Sequence, residues 1–235
     1  MSTPSEPSPL RHTLLTALLG LVFGFLGAAA WSYSGLADNR TRSFLLGNPD
    51  LLPQMAQAYE EQEAAKRLAQ MGGEVLQPFP GVVLGNPNGK RVLVEFSDYN
   101  CTFCRQSLGD VSRLIAEDPD LKVVIREWPI FEGSDVASRM ALAAGMQGKY
   151  AAFHDAMFRT RDVEAAARAA GLDMAKAQQD MASEVVSTEI ARNLDHARAL
   201  GFTGTPAWIA GNKPFGGAVG YEKLKAALTA AGTAS

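Results

Sequence analysis

The stretch from Arg91 to Glu117 constrains the fold of this chain most, because it contains both of its cysteines. Residues 92–96 form a short apolar run with one acid, Glu95, inside it, which is typical of a buried central strand. After Cys104, apolar residues recur at steps of three and four, as on one face of an α-helix. The sequence therefore predicts that Cys101 and Cys104 lie where a strand ends and a helix begins.

A C-x-x-C pair at the start of a helix is suited to redox chemistry. Residues three apart in the first turn lie on one side of the helix, close enough for a disulfide without backbone movement. The unpaired backbone N–H groups and the helix dipole favour an anion there, including a thiolate. We expect Cys101, at the tip, to be the more exposed cysteine and the nucleophile. Cys104, one turn in, is expected to resolve the mixed disulfide.

Other uses of two cysteines fit this pattern less well. A permanent bridge would close a very short loop and remove little entropy from the unfolded chain. Structural zinc needs four ligands, and the sequence has no second cysteine pair. Two thiolates can hold Cu(I), so a copper-handling thiol protein is an alternative function. A tethered chaperone that binds clients on apolar helical surface is a further alternative.

Length and charge narrow the classes of protein. The chain has 235 residues, and its 47% apolar content suits one large domain with an appendage. Its 22 basic and 25 acidic residues give a net charge of −3, without a basic stripe. This balance argues against a nucleic-acid partner.

The N-terminal region predicts a membrane anchor. Thr13 to Ala30 contains no charged residue, and eighteen helical residues span about 27 Å, close to the hydrocarbon thickness of a bilayer. Arg11 precedes the span and Asp38 is the first charge after it, which places the N-terminus in the cytoplasm. We expect a disordered cytoplasmic segment at 1–12 and an anchor at 13–33.

A removed signal peptide is the alternative to the anchor, since Ala28, Ala29 and Ala30 resemble a cleavage site. With either alternative, the cysteines are exported to a compartment where disulfides persist. Residues 34–73 are expected to form a helical linker whose thin apolar seam suits self-association or packing on the domain. The folded domain is expected at 74–235.

Within this domain, the residues after the cysteine helix predict a second strand at 121–125. Strand, helix and strand within about 35 residues form a βαβ unit, which implies parallel pairing and a right-handed crossover. Residues 134–200 are predicted to be helical, with one long helix from Met174 to Leu200. Strands and a closing helix follow.

These elements, with Gly204-Thr205-Pro206 near the end, resemble the thioredoxin fold and, more narrowly, DsbA-type exported thiol-disulfide oxidoreductases. The resemblance covers residues 75–231 and implies an α/β, thioredoxin-like fold with an inserted helical subdomain and no cofactor. It also implies that Pro206 is cis and faces the cysteines, while the backbone of Thr205 holds a substrate strand. The alternative for Pro206 is an ordinary proline that opens an edge strand.

Glu95 stands six residues before Cys101, where the family carries a buried acid. A carboxyl in such a strand would be desolvated, with a raised pKa, and would exchange a proton with Cys104. The alternative is a solvent-facing Glu95, or one paired with Arg126 on the next strand. The histidines have no spacing that suggests ligands or a triad, and we expect structural or surface roles for His12, His154 and His196.

The long N-terminal segment resembles that of membrane-tethered or oligomeric ScsC- and Com1-like proteins. It implies an inner-membrane protein with its catalytic domain in the periplasm, and a homo-oligomer. The resemblance further implies an oxidase or isomerase that acts on unfolded or mispaired exported proteins and is reset by a membrane partner of DsbB or DsbD type. Thr102 and Phe103 separate the cysteines, without a histidine to stabilise a thiolate, and an exposed Asp98 would oppose one. Both features favour isomerase or reductase activity over forceful oxidation.

Overall fold

The computed structural model describes residues 9–33 and 36–232. The chain divides into two compact units, with the boundary between residues 57 and 58. Residues 1–8, most of the segment expected to be disordered, lie outside the described residues. In the first unit, helix α1 runs from Pro9 to Tyr33 and α2 from Leu36 to Gly47. The sequence thus forms helix four residues earlier than the span expected from Thr13.

Helix α1 contains one stretch of the described chain that is long and apolar enough to cross a membrane. This stretch runs from Thr13 to Trp31, 19 residues with a mean hydropathy of 2.1. Its large apolar side chains are exposed, as suits contact with lipid rather than a protein core. An anchor and a signal sequence share this length and composition, so both alternatives for 13–33 remain predictions.

The second unit combines a five-stranded sheet with helices that cover it. Its helices are α3 (Leu51–Gln70, whose first residues belong to the first unit), α4 (Thr102–Glu117), α5 (Ser134–Met146), α6 (Tyr150–Thr160), α7 (Val163–Ala169), α8 (Met174–Met181), α9 (Glu184–Leu200) and α10 (Tyr221–Gly232). Its strands are β1 (Val83–Gly85), β2 (Arg91–Ser97), β3 (Leu121–Glu127), β4 (Ala207–Ala210) and β5 (Lys213–Gly216). The insertion at 134–200 is helical, as predicted.

Strand β2 is the centre of the sheet, whose order is β1-β3-β2-β4-β5. It pairs parallel to β3 and antiparallel to β4, which confirms the predicted βαβ unit. Glu95 lies opposite Ile125 on one side and Trp208 on the other. Because residues 93–96 pair with a strand on each side, β2 is fixed at the middle of the sheet.

Side chains alternate between two covered faces of this sheet. The α4 face carries Leu93 and packs against helices that include α4, α5, α6 and α10. The α9 face carries Val94 and Phe96 and packs against α9 and the end of α3. Both faces are therefore apolar, as expected for a parallel strand that is buried on both sides.

The predicted long helix from Met174 to Leu200 is wrong, because the structure has two helices there. Ser183 adopts an extended backbone between them, with a ψ of 153°. Its hydroxyl accepts a hydrogen bond from the Val186 N–H at 3.3 Å, which caps the start of α9. A serine that satisfies this first-turn donor ends one helical segment and begins the next.

A buried arginine joins β3, α9 and the short 3₁₀ turn at residues 74–76. The Arg126 guanidinium donates to Glu189 at 2.8 Å and to the Asn193 amide oxygen at 3.3 Å. It also donates to the carbonyls of Glu74 and Val75, each at 2.9 Å. Arg126 lies on the α9 face and is almost fully buried. The guanidinium of β3 is satisfied by partners from two other segments, so this contact holds the α9 face together.

We expect Arg126→Met to destabilise the protein by about 3–5 kcal/mol, because Glu189 would lose its buried partner and keep only the half-exposed Arg192. The free energy of unfolding in denaturant measures this loss. Arg168→Met, which breaks the exposed pair with Glu164, is the matched control and should cost less than about 1 kcal/mol. Equal losses in the two variants would contradict the role of Arg126.

Candidate active site

The two cysteines lie at the carboxyl end of the central strand, as predicted. Strand β2 ends at Ser97 and α4 begins at Thr102, with Cys101 as the helix N-cap residue. Cys101 has an extended backbone, with φ −78° and ψ 120°. The unpaired N–H groups of the first turn of α4 therefore lie at the helix end where Cys101 is located.

Both cysteines are reduced in this structure, and both are buried. Cys101 is 2% exposed and Cys104 is fully buried, so the predicted difference in exposure is real but small. The Cys101 thiol donates a hydrogen bond to the Thr205 carbonyl, with Sγ and O 3.2 Å apart. The structure thus brings the late Thr-Pro segment against the first cysteine.

The Thr205–Pro206 peptide bond is cis, which confirms the conformation predicted for Pro206. Pro206 is buried and directly precedes β4, the neighbour of β2 in the sheet. Strand pairing therefore brings residue 205 to the same end of the sheet as the cysteines. Among the predicted site residues, Cys101 and Thr205 are in direct contact.

Glu95 lies beneath the second cysteine, on the α4 face. It is 3% exposed, and burial raises its pKa to about 8, with partial compensation by the Ser97 hydroxyl and a further increase from the charge of Glu127. Burial, and after it the charge of Glu95, raise the pKa of the Cys104 thiol. The Asp98 backbone N–H and the Ser97 hydroxyl offset part of that increase. Ionisation of Glu95 therefore disfavours ionisation of Cys104, and ionisation of Cys104 disfavours that of Glu95.

The alternative in which Glu95 is solvent-facing or paired with Arg126 is wrong. Arg126 lies opposite Phe96 in the β2–β3 pairing, one residue out of step with Glu95. Successive side chains of a strand point to opposite faces, so Arg126 points to the α9 face and binds Glu189 there.

Asp98 anchors the loop beside the cysteines, a role that the sequence analysis missed. Its carboxylate accepts hydrogen bonds from the N–H groups of Asn100 and Ile130, each at 2.7 Å. It also accepts from the Phe131 N–H at 3.0 Å and the Ser134 hydroxyl at 2.8 Å. Asp98 is buried, so it is not the exposed charge that would oppose a thiolate.

The anchored loop places apolar side chains at the surface next to the cysteines. Ile130 and Phe131 are exposed, and so is Phe103 between the two cysteines, at 58%. Gly133, with a φ of +78°, provides the left-handed turn that returns this loop to α5. A segment that reaches Cys101 from solvent would therefore meet an apolar rim.

A second buried acid, Glu127, lies at the end of β3 and was also missed. Its Oε1 accepts from the hydroxyls of Tyr99 at 3.1 Å and Tyr150 at 2.8 Å. Both hydroxyls also lie 3.2 Å from His154 Nδ1. The register gave a signal for Glu127, because it is two residues beyond Ile125, the partner of Glu95, and so lies on the same face.

Comparison with known proteins agrees with this geometry. A thioredoxin family model matches residues 79–230. A thioredoxin-like oxidoreductase from Silicibacter pomeroyi DSS-3 is 39% identical, with 69% of this chain and 98% of that chain covered and a TM-score of 0.65. A periplasmic thioredoxin-like protein from Salmonella enterica serovar Typhimurium is 27% identical, with 69% and 95% covered and a TM-score of 0.60.

More distant relatives share the fold or one part of the chain. A linker-deletion variant of Proteus mirabilis ScsC, 21% identical, aligns over 99% of this chain and 100% of its own, with a TM-score of 0.64. The Na⁺/H⁺ antiporter NhaA 1 of Salinispora arenicola is 28% identical over 148 residues, which are 59% of this chain. The match spans only 23% of that antiporter, so this chain spans about a quarter of the curated relatives' length. The predicted thioredoxin-like fold is confirmed, and the chain belongs to the thioredoxin family.

Proposed function

We propose that the protein is a thiol-disulfide oxidoreductase that acts on exported proteins through Cys101 and Cys104. The observation that carries the proposal is their placement at the start of α4, with the Thr205 carbonyl against Cys101. Glu95 beside the buried Cys104 adds a proton partner. A permanent structural pair would not need a buried acid, which costs stability at neutral pH.

The reaction is a pair of thiol-disulfide exchanges. The Cys101 thiolate attacks one sulfur of a substrate disulfide, a bond forms between them, and the other substrate sulfur leaves as a thiolate. Cys104 then attacks Cys101, the mixed disulfide breaks, and the second substrate sulfur leaves with the electron pair. The protein pair is oxidised by two electrons and the substrate is reduced. The reverse sequence oxidises a substrate dithiol.

Glu95 acts as the proton partner of Cys104 in this scheme. Burial raises the pKa of the Cys104 thiol, so Cys104 cannot ionise freely when it attacks. The raised pKa of Glu95, about 8, lets the carboxyl exchange a proton at neutral pH. The proton of Cys104 therefore passes to the ionised fraction of Glu95 during attack and returns when the protein disulfide opens.

For the direction of electron flow, we propose isomerase or reductase activity. Asp98 is buried and accepts four hydrogen bonds, so it does not present a solvent-exposed charge beside the cysteines. Thr102 and Phe103 still supply no imidazole between the cysteines. A pair without an imidazole between its cysteines lacks one group that can stabilise the thiolate form, which favours a less strongly oxidising disulfide.

The proposed site of action is the periplasm, with α1 as a single-pass anchor in the inner membrane. The apolar stretch from Thr13 to Trp31 supports this proposal, as does the likeness to a periplasmic thioredoxin-like protein. Proposed partners are unfolded or mispaired exported proteins, which would meet the apolar rim at Phe103 and Phe131. A membrane redox protein of DsbB or DsbD type would reset the pair, and residues 34–73 would support self-association.

Trapping experiments test the division of labour between the cysteines. We expect Cys104→Ala to accumulate mixed disulfides with scrambled, disulfide-bonded ribonuclease, because Cys101 attacks and nothing resolves the product. Cys101→Ala is the matched control and should accumulate almost none. Non-reducing electrophoresis measures the adducts. Equal trapping by both variants would overturn the assignment, and no trapping by either would overturn the proposed function.

The pH dependence of stability tests the burial of Glu95. In the unfolded chain its carboxyl ionises near the ordinary value of 4.5, whereas in the folded protein it keeps its proton to about 8. The folded state therefore binds more protons between these values, and stability falls as pH rises through that range. We expect Glu95→Gln to remove this loss and to stabilise the protein by on the order of 3 kcal/mol at pH 8.

Denaturant unfolding of wild type and Glu95→Gln across this range is the measurement. Below about pH 4.5 both states hold the proton, so the gain should vanish there, which is the internal control. A gain that is constant with pH would indicate altered packing and would contradict a titrating, buried Glu95.

A further inference from the structure

Glu127 and three aromatic residues form a closed hydrogen-bonded ring beneath the active-site loop. The hydroxyls of Tyr99 and Tyr150 each lie between Glu127 Oε1 and His154 Nδ1, at 2.8–3.2 Å. All four residues are buried, on the α4 face or on α6. Tyr99 precedes Cys101 by two residues, so the ring is attached directly to the redox loop.

Burial raises the pKa of Glu127 to about 8, and the hydrogen bonds of the ring offset part of that increase. Burial lowers the pKa of His154 to about 3, so the imidazole is neutral. An imidazole with its proton on Nδ1 donates to a tyrosine oxygen, which leaves both tyrosine hydroxyls free to donate to Oε1. The other ring nitrogen, Nε2, is then a lone pair, and no partner contacts it in the described part of the chain. Two donors on one oxygen stabilise the carboxylate over the acid.

Glu127 is also the acid whose charge reaches Glu95. Glu95 pairs with Ile125, and Glu127 follows two residues later on the same face of the neighbouring strand. Such diagonal neighbours stand roughly 7 Å apart. At that spacing inside a protein, a charge on one acid shifts the titration of the other by about one pH unit or more. The charge of Glu127 accordingly raises the pKa of Glu95.

We propose that Glu127 is a positioning residue for the redox pair. Of the two buried acids, Glu127 is the one with two tyrosine donors and ionises first as the pH rises. Its charge then keeps Glu95 protonated, so that Glu95 can give its proton to Cys104 when the disulfide opens. This inference rests on the proposed function and deepens its account of the site. When a substrate thiolate attacks Cys101, the bond between the protein sulfurs breaks and Cys104 receives the electron pair. The Glu95 proton then neutralises the Cys104 thiolate.

Other groups face the two acids without replacing this coupling. Around Glu127, burial is the largest influence and disfavours its charged form, the Ser138 hydroxyl of α5 favours that form, and the Asp98 carboxylate disfavours it. Around Glu95, the neighbours are the Ser97 hydroxyl on its own strand and Cys104 on α4. Glu189 is also a buried glutamate, but it lies on the α9 face, where it pairs with Arg126.

The test is an infrared pH titration of the full-length, oxidised protein in detergent. The carbonyl band of protonated Glu95 is assigned by its loss in Glu95→Gln, and its midpoint is followed in other variants. We expect Glu127→Gln to lower this midpoint by about one pH unit, a tenfold change in the ionised fraction at fixed pH. Glu189→Gln, a buried glutamate on the other face, is the matched control and should leave it unchanged. An unchanged midpoint in Glu127→Gln would overturn the proposal.

A second variant covers the case in which Glu127→Gln does not fold. Tyr150→Phe removes one donor to Glu127, so the charge on Glu127 forms at higher pH. We expect the Glu95 midpoint to fall in the same direction by a smaller amount, and an unchanged midpoint would overturn the proposal. This titration needs no turnover, so it separates the inference from the proposed function.

Opening of the protein disulfide by dithiothreitol, measured against pH, supplies the functional readout. Proton donation by Glu95 should fail at a lower pH in Glu127→Gln than in wild type. We expect the difference between the two pH values to equal the shift of the infrared midpoint. In a Glu95→Gln background, Glu127→Gln should change the profile no further, and a further change would overturn the mediation by Glu95. A wild-type disulfide that does not exchange at all would overturn the proposed function, while the titration still decides the inference.

Discussion

The site depends on the burial of Glu95 in the central strand, and the rest of the fold makes that burial possible. A carboxyl in mid-strand is tolerated only when the strand is fixed by neighbours on both sides. β3 and β4 provide these neighbours, and Ile125 and Trp208 pack beside the acid. The helix that follows β2 then places Cys104 over Glu95. The raised pKa values of the thiol and the acid follow from one cause, which is the exclusion of water from the α4 face.

The two faces of the sheet treat buried charge differently. Arg126 on the α9 face is satisfied by Glu189, Asn193 and backbone carbonyls, whereas in the described part of the chain no cation forms an ion pair with the two acids of the α4 face. A single one-residue step along β3 separates these environments, because alternate side chains point to opposite sides. The sheet therefore divides a structural ion pair from a titrating pair of acids, and the register of β2 with β3 maintains the division.

Local patterns predicted the elements of this site, whereas their contacts depend on the three-dimensional fold. The strand, the helix and the C-x-x-C pair were predictable because periodicity and spacing are local properties of the sequence. The function of Asp98 was not, since its donors come from residues 130–134, more than thirty positions away. Whether Glu95 is buried or pairs with Arg126 depends on the register of β2 with β3, and a single sequence does not determine that register. The same holds for the break at Ser183, where a cap outweighs a continuous helical pattern.

The two anchors of the redox loop differ in kind, and this difference bears on its chemistry. Asp98 is a buried acceptor with four donors, so it fixes the position of the backbone. Tyr99 is a neutral donor whose partner, Glu127, has a pKa of about 8 and titrates near neutrality. Adjacent residues thus connect the cysteines to one rigid contact and one that responds to protons. A loop held in this way can keep Cys101 against Thr205 while the charge beneath Cys104 changes, which is what successive thiol-disulfide exchanges require.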